Sequence, residues 1–500
     1  MTRKRGDGDR TPRGVRSGRV RRSVRPLRMG AGTAARRAGT AIRSIGADPE
    51  SKEAKLLEFH ARNAQRYAEA LGDMKGAVMK LGQLLSYVEV DAIPPRYREM
   101  YQRSLQALLA DAPPMDTDVL DEVVQLELGA PAKEVFAWFS PTPLAAASIG
   151  QVHEARLADG SRVAVKIQYP GVADAIESDL SNTEMLATVF RLGQSMLGGL
   201  APRADIRTMV GELRERISEE LDYRTEAQNQ SFFGRLYEGH PVIRVPRVYD
   251  EYSTDRVLTM EYVEGKRWAE ALDAPEDLRL RWAEAIFRFA LSSLDRFSVF
   301  NADPHPGNYL FHDDGTVTFL DFGCVKVMPF EKQVDNISMI RAAAEGRAKD
   351  LHRALIDAGF LPADDDADPD RLLEWLAGAQ PHLINRPYRF THDDVAAYLG
   401  RVYDPLGEWG DVVKRFTMPK DNVVLARIDL GLWSVMASLG GTQDWRGISD
   451  EIWGVGPPVT EIGRAETAWL DTMRRRRDWP PPHPERPERF HTPIASADFD

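Results

Sequence analysis

The chain has 500 residues, more than one hydrophobic core accommodates, so two lobes with extensions are expected. Its 43% hydrophobic and 28% charged residues describe a globular protein with ample core, and a single cysteine, Cys324, excludes an internal disulfide framework and agrees with a reducing compartment. The formal charge of −11 conceals an asymmetry, because residues 1–46 carry fourteen Arg or Lys against Asp7 and Asp9, a net of +12 that leaves the remainder at −23.

The segment 1–46, rich in Gly, Arg and Ser and without the apolar stretch of a secretory signal, is read as a disordered basic tail. Its expected partner is an anionic membrane surface, contacted peripherally and screened by salt, rather than nucleic acid. The uncharged run 135–152 is interrupted by Pro141 and Pro143, and Leu430–Gln443 is too short to span a bilayer. A cytoplasmic chain, at most peripheral at a membrane, is therefore expected.

Residues 47–130 read as a helical extension. In "EFHARNAQRYAEALGDMKGAVMKLGQLLSYVEV" apolar residues recur every three or four positions, with breaks at Ile93-Pro94-Pro95 and at "DAPPM", 111–115. Lys80 and Gln83, at i and i+3, emerge on one face of this otherwise apolar stretch. Residues 131–265 read as a strand-rich lobe. "QVHEARL" (151–157) and "RVAVKIQY" (162–169) are joined through Asp159-Gly160, a strong hairpin signal; a helical insertion follows from Asp174 to Tyr237; "RVPRVYDEY" and "RVLTMEYV" then read as strands leading to Glu264-Gly265. Residues 266–475 form a mostly helical lobe, with Trp268–Phe300 as one helical stretch, and 476–500 a loose Pro-rich tail.

The chemistry concentrates in "NADPHPGNYLFHDDGTVTFLDFG", 301–323. Asn308 follows Asp303 by five residues, and Asp321 lies thirteen further on, ahead of Phe322 and Gly323. A kinase catalytic loop has the same offset from its Asp to its Asn, and a DFG aspartate follows after a hairpin. The stretch is thus a candidate floor for Mg-ATP. Upstream, "LAAASIGQVHEARLADGSRVAVK" lies on the template G-x-G-x-x-G-x-V with Ala145, Ala147, Gly150 and Val152 in the named positions, and Lys166 comes fourteen residues after Val152. Nucleotide contacts are expected at Ala145, Ala146, Ala147, Ser148, Val152, Ala164 and Lys166, the lysine as a point charge on the phosphates. The adenine edge is expected at Met260–Val263, through Glu261 and Val263. The lysine needs a carboxylate partner, for which the helical run offers Glu220, Asp222 and Glu226. Alanine at 145 and 147 restricts positive φ and close approach to phosphate oxygens, so nucleotide is expected to sit differently from its place in a protein kinase.

These motifs in this order resemble the UbiB/AarF atypical kinase-like family, which in eukaryotes includes coenzyme Q kinases. The matching residues are Lys80, Gly82 and Gln83; Ala145 to Ser148; Lys166; Glu220 and Asp222; Glu226 to Asn229; Asp303 to Asn308; and Asp321 to Gly323. The resemblance implies an α+β, protein-kinase-like two-lobed fold with an N-terminal helical extension and a mostly helical C-lobe. It implies that Glu226 pairs with Lys166, that Asn308 and Asp321 hold Mg²⁺ for ATP or ADP, and that Asp303 stands where a kinase keeps its catalytic base. It also implies a flap helix whose Lys80 and Gln83 lie near Glu220 and Asp222, as a regulatory set that would obstruct a peptide substrate. Two classes of function follow: an ATPase or small-molecule or lipid phosphotransferase supporting isoprenoid-quinone or lipid metabolism, with a lipid or quinone-like partner, or a Mg-nucleotide-binding regulatory module without turnover. The C-terminal helices of membrane-bound members are not seen in this sequence, so insertion is not expected.

Overall fold

The computed structural model describes residues 117–147, 149–172 and 221–483. The basic tail, the stretch with Lys80 and Gln83, Ser148, Glu220 and most of the insertion lie outside these residues. What is described falls into two compact units, one holding the residues through Arg224 together with Tyr249–Thr259, the other Thr225–Val248 and the chain from Met260 onward.

The first unit is a sheet with a helix on one face. Helix α1 (Thr117–Leu128) buries Leu120, Val123 and Val124, the i, i+3, i+4 stripe of an amphipathic helix. The Asp121 carboxylate accepts the Ala132 N–H at 2.6 Å where the short α2 (Ala132–Val135) begins. Strands β1 (Trp138–Ala146), β2 (Gly150–Arg156) and β3 (Arg162–Gln168) follow; α3 (Tyr223–Leu236) and β4 (Ile243–Arg244) precede β5 (Val257–Glu261) in the chain, and the sheet runs β1-β2-β3-β5. Strand alternation sends Val163, Val165 and Ile167 to the α1 side and Ala164 and Lys166 to the other. The β2–β3 turn closes as expected at Asp159-Gly160, where Gly160 has φ +87°. Pro141 and Pro143 cannot donate to a ladder; β1 is an edge strand, and its register against β2 slips on both sides of Pro143.

Beyond α3 the chain departs from the expected elements in two places. "RVPRVYDEY" does not make a strand: only Ile243–Arg244 pair, parallel to β8 (Val317–Phe319), and beyond them come an isolated bridge, Val248 to Met260, and a 3₁₀ turn at Asp250–Tyr252. Pro246 has no N–H to continue the ladder. The expected helix from Trp268 to Phe300 is likewise broken, into α4 (Trp268–Leu272), α5 (Glu276–Leu291), a π turn (Ser292–Arg296) and β6 (Val299–Asn301). Pro275 caps the start of α5, and Ser298, at φ 55°, redirects the chain into β6.

Strand β6 pairs antiparallel with β9 (Val325–Val327), and β7 (Tyr309–Phe311) forms a hairpin with β8 through Gly315, φ +84°. The remainder is helical: α6 (Phe330–Ala344), α7 (Ala348–Asp357), α8 (Pro369–Ala379), α9 (Pro381–Ile384), α10 (His392–Tyr403), α11 (Gly410–Val413), α12 (Lys420–Leu439), α13 (Trp445–Ile452) and α14 (Glu461–Met473). Their apolar faces meet around α5 in one aromatic-rich core that includes Trp282, Phe287, Trp375, Trp433 and Trp445. Among the described residues no helix is long and apolar enough to cross a membrane.

Candidate active site

In the second unit, two strand pairs bring the residues of 301–323 together. Asn301 ends β6 opposite Val325. Beyond that pair the two chains diverge, one into Asp303, the other running back through Cys324 to Asp321, and the Ala302 N–H still bonds the Cys324 carbonyl at 2.7 Å. The loop from Asp303 returns through Pro304 and a 3₁₀ turn, Pro306–Asn308, directly into β7. Because β7 pairs with β8, Asn308 at the head of one strand lies beside Leu320 at the tail of the other; the Leu320 N–H donates to the Asn308 carbonyl at 2.9 Å. Asp321 is the next residue.

Side chains complete the arrangement. The Asn308 amide nitrogen faces Asp303, 3.4 Å from its Oδ2 and 3.5 Å from its carbonyl oxygen. With the nitrogen turned to Asp303, the amide's oxygen is the end a cation would take. The Asp321 Oδ1 accepts the Gly323 N–H at 3.0 Å. Asn301 Nδ2 donates to the Asp321 carbonyl at 2.6 Å, while its Oδ1 accepts the Asp303 N–H at 3.0 Å. Asp303, Asn308 and Asp321 are all half-buried.

Helix α3 presents Glu226, Asn229 and Phe233, spaced to share one face, to the Asp321–Gly323 segment. Asn229 Nδ2 donates to the Phe322 carbonyl at 3.1 Å, and the Phe233 ring lies 5.0 Å from the buried Phe322 ring. The Glu226 carboxylate is buried next to Gly323: a Cβ at that glycine would stand 3.3 Å from Asp321 Oδ1 and 3.8 Å from Glu226 Oε2. Gly431 on α12 gives Pro304 room in the same way, since a Cβ there would press on the proline ring at 2.6 Å.

The first unit holds the other candidate residues. Ala145 is paired with Val152 and Val152 with Lys166, so the three form a row across β1, β2 and β3, with Ala164 on the same face two residues before the lysine. The Lys166 ammonium lies 4.8 Å from the centre of the Tyr223 ring. Ala145 and Ala146, expected in a loop, are the last residues of β1; the turn itself is short, closed by the Ala147 N–H on the Gly150 carbonyl at 2.9 Å. Ser298 is the one non-glycine at positive φ among the described residues, so Ala145 and Ala147 occupy ordinary backbone regions. Gly150 is constrained by space, because a side chain there would collide with the Ile167 carbonyl oxygen. Asp222 Oδ1 accepts the Arg224 N–H at 3.0 Å, as a helix cap at the start of α3.

At the end of β5, the Glu261 N–H bonds the Arg247 carbonyl at 2.7 Å, and Val263 follows just beyond the strand. Sequence reasoning left Asn301, Asn229 and Pro304 without a role. The only signal for Asn301 was a carboxamide two residues before Asp303, with nothing local to name its partners.

Among the described residues no three His, Cys, Asp or Glu side chains are grouped to hold a metal. Asp303, Asn308 and Asp321 offer two carboxylates and a carboxamide instead, a hard oxygen set suited to Mg²⁺, which retains water and takes phosphate oxygens for its remaining positions.

The lysine row in a small sheet, and the Asp–Asn–DFG arrangement between short strand pairs ahead of a helical unit, define a kinase-like α+β protein. A family model for the ABC1 atypical kinase-like domain matches residues 107–355. Atypical kinase COQ8 of Saccharomyces cerevisiae, a mitochondrial protein, is 33% identical over 375 residues, covering 75% of this chain and 68% of that protein. COQ8B of Rattus norvegicus is 34% identical over 300 residues, 60% of this chain and 55% of that protein. The solved complex of Rv3197 with erythromycin, from Mycobacterium tuberculosis, is similar at 30% identity and a TM-score of 0.56, over 81% of this chain and 98% of that one. The chain belongs to the ABC1 family of COQ8- and AarF-type atypical kinases. It spans about half the length of the first curated relatives it matches, from 45% to 55%.

Proposed function

We propose that the chain is a Mg-ATP-dependent enzyme of the atypical kinase type, hydrolysing ATP or transferring its phosphoryl group to a small or lipid-like acceptor in isoprenoid-quinone or related lipid metabolism. The observation that carries this reading is the convergence of Asp303, Asn308 and Asp321 on loops hydrogen-bonded to each other. The chemistry a Mg²⁺ ion would supply there is positive charge to offset that developing on the transferred phosphoryl group. Asn308 and Asp321 would hold it. Asp303, whose backbone N–H bonds Asn301 Oδ1, would accept a proton from an attacking hydroxyl or water. Lys166, at the end of the row through Val152, would lay its ammonium on the phosphates.

A small acceptor is favoured over a peptide by the chain after Gly323. Only Cys324 to Pro329, three of them in β9, separate that glycine from α6 at Phe330, which leaves no activation segment on which to dock a polypeptide. A family relative solved with erythromycin is a further case of a small organic ligand. Alanine at 145 and 147 keeps a second reading in play, a Mg-nucleotide-binding regulatory module without turnover. Phosphate release measured with and without lipid or quinone-like phenols separates the two: turnover that such compounds stimulate supports the enzyme. Calorimetry tests the site itself, with Asp321→Asn expected to abolish Mg-ATP binding; binding equal to wild type would overturn the placement. The basic tail, 1–46, would bring the chain to anionic membrane, each basic residue near the surface contributing ~1 kcal/mol. Deleting it should abolish sedimentation with anionic liposomes at low salt.

A further inference from the structure

We propose that Asn301 is a positioning residue for the metal site, its carboxamide setting the separation between the Asp303 loop and Asp321. The proposal rests on the Mg-nucleotide reading of that site. Asn301 occupies the fork where β6 and β9 part, and its two side-chain hydrogen bonds reach the two diverging branches: 2.6 Å to the Asp321 carbonyl and 3.0 Å from the Asp303 N–H. A carbonyl only accepts and an N–H only donates, so the orientation of the amide is determined by its partners. The site requires a side chain with one donor and one acceptor at this reach. Aspartate accepts from Asp303 but cannot donate to Asp321, and leucine does neither.

Asn229 strengthens the case from a different element. It takes the Phe322 carbonyl, so the consecutive carbonyls of Asp321 and Phe322 are each held by a carboxamide, one from β6 and one from α3. The Gly323 N–H on Asp321 Oδ1 then sets the carboxylate rotamer. The ligand is thereby held at its backbone and at its side chain before a cation arrives. Residues that orient metal ligands in this way typically change metal affinity about 10–100-fold when replaced.

The experiment uses the full chain and follows ADP binding by calorimetry across a Mg²⁺ series, together with melting temperature in the absence of metal. Wild type is compared with Asn301→Asp, Asn301→Leu and Asp321→Asn. In both Asn301 variants half-saturating Mg²⁺ should rise about tenfold or more, with little change in metal-free melting. The aspartate variant is the stringent one, because an added carboxylate near a cation site should tighten binding by charge alone, so weaker binding reports lost geometry. It is also nearly isosteric, and carries the test if the leucine variant fails to fold. Half-saturating Mg²⁺ unchanged from wild type, with or without a drop in melting temperature, would leave Asn301 a structural residue and sink the proposal. Asp321→Asn distinguishes the two levels: if it binds Mg-ADP normally the site reading fails, whereas its loss beside unaffected Asn301 variants overturns this inference alone.

Discussion

The second unit contains two polar networks that use similar groups in opposite ways. Around Asp303 and Asp321 the carboxylates take amide N–H groups, from Asn308 and from Gly323, and the acids stay half-buried. Behind α5 the acids face arginines. Arg288, wholly buried, places all five N–H groups: Nε on Glu284, Nη1 on Glu466 and Glu451, Nη2 on Glu451 and Thr460. Arg296 adds a 2.6 Å bond to Glu466, whose carboxyl these arginines hold well below its usual range despite its burial. In one network the chain's own guanidinium groups meet buried acids; in the other, half-buried acids take amide N–H groups on loops. Carboxylates count toward a metal site by how they are satisfied, and the number of them in a region says little.

The largest effect should come from opening the arginine network. Arg288→Met leaves Glu284, Glu451 and Glu466 buried around an apolar chain, and breaking such a buried pair typically costs about 3–5 kcal/mol. Urea unfolding should show that loss. Asp321→Asn should leave the unfolding midpoint near wild type while removing Mg-nucleotide binding. If both variants lose stability equally, the distinction between the networks collapses.

The two networks also differ in how far the amino-acid sequence disclosed them. The nearness of Asp303 to Asn308 was legible because five residues make one tight loop, and β2, β3 and the Asp159-Gly160 turn followed from alternation and turn chemistry. The partners of Asn301 and Asn229 were not, since each bond crosses a chain separation, 20 and 93 residues, that only tertiary pairing closes. The Arg288 cluster spans 163 and 178 residues, beyond any local pattern. Local reading also failed where one residue overrode a trend: Pro246 ended a strand that its neighbours favoured, and Pro275 and Ser298 broke a helix whose periodicity continued through them.

A smaller effect concerns pH. His240 is buried, with Nδ1 accepting the Val242 and Ile243 N–H groups at 3.2 and 3.1 Å, and Nε2 stands 3.8 Å from Glu466. Burial pushes its pKa below the ordinary 6.5, opposed by Glu466 and reinforced by Arg288 and Arg296. The unfolded chain therefore binds a proton near pH 6.5 that the folded chain refuses. Stability is intact above that pH and falls as pH drops below it, by about 1.4 kcal/mol per pH unit for one proton. His240→Asn keeps an acceptor toward the same N–H groups and removes the titration. Unfolding measured from pH 7 to 5 should show a shallower acid loss in the variant; parallel curves would mean that His240 contributes nothing to the pH dependence.

The smallest expected effect lies in the first unit, where a turn closed by a backbone hydrogen bond offers a contrast to both networks. Ala145 lies in β1, paired with Val152, at an ordinary φ, and the Ala147 N–H closes the turn that follows on the Gly150 carbonyl. Glycine at 145 would weaken the edge strand by roughly 0.5–1 kcal/mol through backbone entropy and would let the turn approach phosphate oxygens more closely. Nucleotide affinity should therefore change, along with the preference between ADP and ATP, by a few-fold rather than by the orders of magnitude expected at Asp321. Thermal-shift titrations with both nucleotides, beside a phosphate-release assay, read this directly. A large loss of binding would mean that the turn is as rigidly specified as the Asp303 loop, by contacts other than its ladder. Identical affinities would make Ala145 scaffold, and would place nucleotide selectivity with Lys166 and the oxygen atoms around Asp321.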